Sequence, residues 1–179
     1  MLQVKTKIIL MKRIGLLSDT HGFLNDRLFV FFDKADEIWH AGDIGNLPTA
    51  DRLAAFKPFR AVYGNIDGQD VRVVYPQHQR FMCEGTDVWI THIGGYPGKY
   101  EHQVKPEIFT RPPGLFIAGH SHILKVIYDK KLGFLHINPG AAGIYGFHTV
   151  CTAVRFVIDG KEIRDFEIWQ IPRDNRPVI

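Results

Sequence analysis

At 179 residues the chain is long enough for one domain with a sizeable core. Apolar residues make up 45% and charged residues 23%, which excludes the disordered and fibrous classes. The net charge of +3 is carried by scattered Lys and Arg, so a basic face for nucleic acid is not indicated. Cys83 and Cys151 belong to no CxxC pair, which argues against a disulfide framework or a thiolate zinc site. The apolar stretch at residues 8–11 is too short for a signal segment or a membrane span. The expectation is a soluble cytoplasmic protein with no membrane partner.

In chain order, residues 1–10 carry no motif and read as an N-terminal extension. Residues 14–17 predict a strand that ends in Ser18-Asp19-Thr20-His21-Gly22. Residues 24–34 predict a helix with Asn25 near its start. A second strand at 37–41 ends in Gly42-Asp43-Ile44-Gly45, and a helix follows at 48–56 with Pro48 and Thr49 at its entrance. A third strand at 60–63 ends in Gly64-Asn65-Ile66-Asp67. This β-α-β-α-β order is the signature of a parallel sheet. Strands are then predicted at 71–74, 79–83, 88–91, 115–118, 124–128, 134–137, 150–158 and 162–171, with Asp159-Gly160 as a hairpin turn. So many strands predict two packed sheets with the early helices on an outer face. Residues 94–114 hold four prolines and four glycines and predict a long loop with one short helix near 104–109. Tyr96, Tyr100 and Arg111 make that loop a candidate for substrate contacts. The domain is taken as 11–171, and the tail 172–179 is expected to fray.

Five strands end in one kind of polar cluster: Asp19-Thr20-His21, Gly42-Asp43, Gly64-Asn65, Thr91-His92 and Gly119-His120-Ser121-His122. Clusters at 19, 43, 65, 92 and 120 lie 22 to 28 residues apart. One strand, its crossover and the next strand take about 30 residues, so each cluster returns to the same sheet edge. In open α/β sheets that edge, at the carboxyl ends of the strands, is where ligands bind. The donors are two carboxylates, four imidazoles and one amide. That set suits divalent manganese, iron, cobalt, nickel or zinc better than magnesium or calcium. Seven ligands are too many for one catalytic metal and natural for two. Two divalent ions, two aspartates and one bridging hydroxide leave about one positive charge, which selects an anion such as a phosphate ester.

In these motifs the chain resembles the calcineurin-like metallophosphoesterases, and within them the small YfcE-type phosphodiesterases. The resemblance covers about residues 14–171, including the Ile-Asn-Pro-Gly-Ala-Ala-Gly turn at 137–143. It implies a four-layer α/β/β/α sandwich of two mixed sheets. It also implies that Asp19, His21 and His122 hold a first metal, that Asn65, His92 and His120 hold a second, and that Asp43 bridges them. The expected activity is hydrolysis of a small phosphate ester, foremost a diester, by a metal-bound hydroxide. Manganese is the foremost ion; nickel, cobalt, iron, zinc and magnesium are alternatives. Asp43, His92 and Asp67 are the expected catalytic residues: Asp43 sets the metal spacing, His92 helps bind phosphoryl oxygens, and Asp67 orients a ligand or a water. The alternatives are a phosphomonoesterase or nucleotidase, or a protein-binding scaffold like the family's retromer subunit. The oligomeric state, including a homo-oligomer, is left open.

Three departures from the family pattern stand out. Ile66 replaces the histidine or cysteine that relatives carry after the Asn ligand, Ala141 replaces a serine, and residues 1–10 have no counterpart. Of the other histidines, His40 and His136 are candidates for orienting a ligand, and His102 and His148 for touching substrate. His78 is expected on the surface. Trp39, Trp89 and Trp169 are expected in the core.

Overall fold

A computed structural model describes residues 11–173; the extension at 1–10 and the tail residues 174–179 lie outside the described residues. The first half runs β1 (Met11–Leu17), α1 (Arg27–Phe32), β2 (Glu37–His40), α2 (Leu47–Phe56), β3 (Phe59–Ala61) and α3 (Gln69–Val74). The second runs β4 (His78–Cys83), β5 (Thr86–Thr91), β6 (Gly95–Tyr96), β7 (Lys99–Tyr100), α4 (Lys105–Thr110), β8 (Leu115–Ile117), β9 (Leu124–Asp129), β10 (Phe134–Pro139), β11 (Val150–Asp159) and β12 (Glu162–Pro172).

Two five-stranded sheets result, in the orders β12-β11-β1-β2-β3 and β4-β5-β8-β10-β9. In the first, β1, β2 and β3 are parallel, while β11 and β12 are antiparallel. In the second, β5, β8 and β10 are parallel, with β4 and β9 antiparallel at the edges. Both sheets are therefore mixed.

Strand alternation sorts the side chains into layers. Ile14, Leu16, Trp39, Val154 and Phe156 of the first sheet meet Val88, Ile90, Leu115, Ile117 and Ile137 of the second. On the outer face of the first sheet, Leu17, Ile38, Ala153 and Trp169 are covered by Leu28 and Phe32 of α1 and Leu53 of α2. On the outer face of the second, Trp89, Phe116 and Phe134 are covered by Tyr100, Val104 and Ile108. The order is α/β/β/α, as the resemblance implies. Each fully buried Leu, Ile or Phe contributes about 1.5–3 kcal/mol, so the central layer and the two outer layers all stabilise the fold. No helix among the described residues is long and apolar enough to cross a membrane.

The structure corrects several local expectations. Residues 71–74 are not a strand but the end of α3. Asp70 sits in its first turn, Val71 is its only buried residue, and Arg72 ties it back to the preceding loop. The β-branched run that suggested a strand is mostly solvent-facing, so local propensity yields to tertiary contacts. The helix expected at 24–34 contracts to α1, and Asn25 Oδ1 accepts from Arg27 N just ahead of it. The long loop contains the hairpin β6–β7, turned by Pro97-Gly98 with Gly98 at φ +85°. At the other end β12 reaches Pro172, and Arg173 N donates to Thr149 O, so two residues of the expected tail are ordered.

Candidate metal centre

The carboxyl ends of β1, β2, β3, β5 and β8 converge on one edge of the sandwich. There the chain turns sharply. Of seven described non-glycine residues with positive φ, five are Asp19, His21, Asp43, His120 and His122. L-residues adopt this region at a cost, and such strain collects at functional sites. Gly64 allows the closest approach: a Cβ there would stand 2.0 Å from Asp43 Oδ1.

Two groups of donors face each other. Asp19, His21 and His122 offer ligand atoms within 4.8 Å of one another, and so do Asp43, His92 and His120. Each carboxylate has one oxygen fixed by a backbone amide. Asp19 Oδ2 accepts from His120 N at 3.1 Å, and Asp43 Oδ1 accepts from Ile66 N at 3.0 Å. The other oxygens point at imidazoles. Asp19 Oδ1 lies 3.0 Å from His122 Nε2, and Asp43 Oδ2 lies 3.2 Å from His92 Nε2 and 3.9 Å from His21 Nε2. Asp43 thus reaches toward both groups. Asn65 is exposed and lines a small cavity of about 170 Å³ beside His92, together with Arg72 and Gln103.

Tautomers follow from the second ring nitrogens. His92 Nδ1 donates to Ala41 O at 2.8 Å, so its Nε2 carries a lone pair. His148 Nε2 donates to Gly143 O at 2.9 Å, leaving His148 Nδ1 to accept from His122 Nδ1 at 3.2 Å. His122 therefore also presents a bare Nε2. Such bonds to the far nitrogen orient ligand histidines and raise their basicity. In the fully buried His40, Nε2 donates to Thr20 Oγ1 at 2.9 Å and Nδ1 accepts from Gly42 N at 3.1 Å. It is a strut between the first two motif loops. Burial holds it neutral, with its pKa down at about 3.

The donor chemistry fits divalent cations. Asp19 Oδ1, His21 Nε2 and His92 Nε2 are buried without a hydrogen-bond partner among the described residues. Buried polar atoms are normally satisfied. With the rings neutral, lone pair faces lone pair, an arrangement that is costly unless a proton or a metal cation sits between them. Burial disfavours the charge on Asp19 and Asp43. Their histidine neighbours outweigh it, and both carboxyls lie below their ordinary value. For His92, burial is outweighed by Asp43 and Asp19, and its pKa is raised.

Asp67 sits behind this cluster. Its oxygens accept from the amides of Ile44 at 3.1 Å, Gly45 at 2.7 Å and Gly64 at 2.7 Å, which ties the loops after β2 and β3 together. Arg72 grips the second loop from outside through the carbonyls of Gly64, Asn65 and Asp67. His136 is buried on the outer face of the second sheet against Phe116, and His78 is exposed. In the long loop, Tyr100 is buried and donates to Asp129, and Arg111 pairs with Glu107 at 2.8 Å. Tyr96 lies under the Lys125 ammonium. Of that loop only Gln103 reaches the cavity beside His92. Sequence reasoning did not single out Arg72, Tyr145 or Phe147. A larger cavity of about 610 Å³ between Met82, Thr86, Tyr128 and Ile163 lies at the opposite end of the strands, away from both donor groups.

Solved structures that share the fold include three of note. A predicted phosphoesterase from Streptococcus pneumoniae is 23% identical, with a TM-score of 0.62 over 91% of this chain and 90% of its own. An archaeal phosphodiesterase is 21% identical, with a TM-score of 0.62 over 88% and 99%. Vps29 of Entamoeba histolytica, complexed with zinc, is 13% identical, with a TM-score of 0.70 over 90% and 99%. No curated protein matches the sequence at a significant level. The model of the calcineurin-like phosphoesterase superfamily domain matches residues 11–161. With the ordered motifs, the mixed-sheet sandwich and the paired donor groups, this places the chain in the calcineurin-like phosphoesterase superfamily.

Proposed function

We propose that this protein is a metal-dependent phosphoesterase, foremost a phosphodiesterase, working with two divalent ions. Asp19, His21 and His122 would hold one ion and Asn65, His92 and His120 the other, with Asp43 placed to serve both. One observation carries the proposal: the unpartnered Asp19 Oδ1, His21 Nε2 and His92 Nε2 converge in a buried cluster. When bound there, divalent ions supply Lewis acidity for phosphoryl oxygens and a nucleophile from water at neutral pH. The protein's own part is positional. Ile66 N holds Asp43 Oδ1, so Oδ2 stays aimed between the two groups. Ala41 O and His148 fix the rings of His92 and His122. His120 and Asn65 are exposed and open to phosphoryl oxygens at the mouth.

A second reading is a binding scaffold, favoured by the likeness of the fold to Vps29. That Vps29 is itself described with zinc, so metal content cannot separate the readings and turnover can. Metal-reconstituted protein should be screened against aryl diesters, aryl monoesters, cyclic nucleotides and dinucleotides. With imidazole-rich sites, Mn(II) should support more activity than Mg(II), and a chelator should abolish it. Turnover that survives chelation, with metal absence confirmed by elemental analysis, overturns the proposal. Two bound ions with no turnover on any ester would favour the scaffold.

A further inference from the structure

Beside the donor cluster lies a groove of about 450 Å³, walled by His120, His122 and Ile123 on one side and by Gly146, Phe147 and His148 on the other. It shares His120 and His122 with the two donor groups. Its walls otherwise differ from those groups. Phe147 is fully exposed and Ile123 is 56% exposed. Tyr145, also about half exposed, lies with its ring centroid 6.4 Å from that of His21. A lone exposed apolar side chain is ordinary. Three around the mouth of a charged cluster form an apolar rim.

The loop that carries Phe147 is tied down. Gly143 N donates to Asp19 O at 3.0 Å, and His148 Nε2 donates to Gly143 O at 2.9 Å. The Arg173 guanidinium donates to Gly146 O. Gly146 has φ +126°, and a Cβ there would meet His122 Nδ1 at 2.4 Å, so only glycine lets the loop close against the imidazole. The backbone that carries the exposed ring is thus fixed before any ligand arrives, which lowers the ordering cost of binding.

Resting on the phosphoesterase reading, we propose that this groove is a subsite for a flat aromatic ring on the substrate's ester arm, either an aryl group or a nucleobase. Phe147 supplies the stacking face and Ile123 the opposing wall. Such a substrate is charged at phosphorus and flat and apolar at its ester arm, and the two halves of the site match the two halves of the molecule. Stacking on an aromatic side chain tolerates any ring with a π-face, so the groove selects for aromaticity rather than for one base.

The test is calorimetric binding of phenylphosphonate, n-butylphosphonate and methylphosphonate to the Mn(II)-loaded full chain. Phenylphosphonate should bind more tightly than the other two. Phe147→Ala should cut the phenyl-over-methyl affinity ratio about tenfold, and Phe147→Tyr should keep it. Phe147 is fully exposed, so neither variant threatens the fold. Butyl binding as tightly as phenyl, or an unchanged ratio in Phe147→Ala, overturns the subsite while the phosphoesterase reading stands. If no phosphonate binds the metal-loaded protein, the subsite falls, and the phosphoesterase reading is decided by the turnover screen alone.

Discussion

Ile66 is half exposed at the rim of the donor cluster, and its amide is fixed on Asp43. An isoleucine side chain can neither give a proton to a departing alkoxide nor hydrogen-bond a phosphoryl oxygen. General-acid help is typically a factor of ~10²–10⁴, and it matters most for poor leaving groups. The rate should therefore fall steeply as leaving-group pKa rises, with nitrophenyl esters turned over well and alkyl esters poorly. Ile66→His should flatten that slope and raise monoester relative to diester turnover. A leaving-group series on both proteins with matched metal content checks this, and parallel slopes would mean that position 66 does not face the leaving group.

The loops after β2 and β3 carry Asp43 and Asn65, and Asp67 pins the one to the other through three backbone amides. Asp67→Ala leaves those amides without their acceptor and should cost about 1–3 kcal/mol or more, measured by urea denaturation. If anchoring is its whole role, Asp67→Asn should lower stability and metal affinity without moving the pH profile of turnover. A shifted basic or acidic limb would show that Asp67 also takes part in proton transfer. The sequence made much of this edge legible, because Asp19, Asp43, Asn65, His92 and His120 each follow an apolar run at a spacing close to one crossover. It misled at residues 71–74, where a Val-rich run is read locally as a strand but only Val71 is buried. It hid the partnership of His148 with His122, which exists only because a loop 26 residues downstream folds back onto that imidazole. The hairpin β6–β7 did leave a signal, the Pro97-Gly98 pair, inside a segment read as a long loop with one short helix.

Across the whole molecule, the buried His136 has no hydrogen-bond partner for either ring nitrogen among the described residues. Burial, with Lys125 adding to it, lowers its pKa to about 4 against an ordinary 6.5. Between those values the unfolded chain binds more protons than the folded one. The stabilising contribution is therefore complete above about pH 6.5 and is lost as pH falls toward 4, by at most about 3 kcal/mol. His136→Leu should make the acid limb shallower by that amount in urea titrations of chelated protein at pH 7, 5.5 and 4. An identical limb would assign the acid sensitivity elsewhere. The donor groups are also non-local: one gathers residues from 19 to 122, the other from 43 to 120. Strand ends this far apart in sequence meet only after costly loop closures, in a topology that folds slowly. No partial chain presents either set, so an ion cannot template the search. An ion bound by the finished sandwich would stabilise it by mass action, by about 2.7 kcal/mol at one hundred times its dissociation constant. Interactions absent from the folding transition state act on the unfolding rate. Ions held there would be a lock on the native state rather than a nucleus for it. A cell short of metal would make this protein at an undiminished rate and lose it faster.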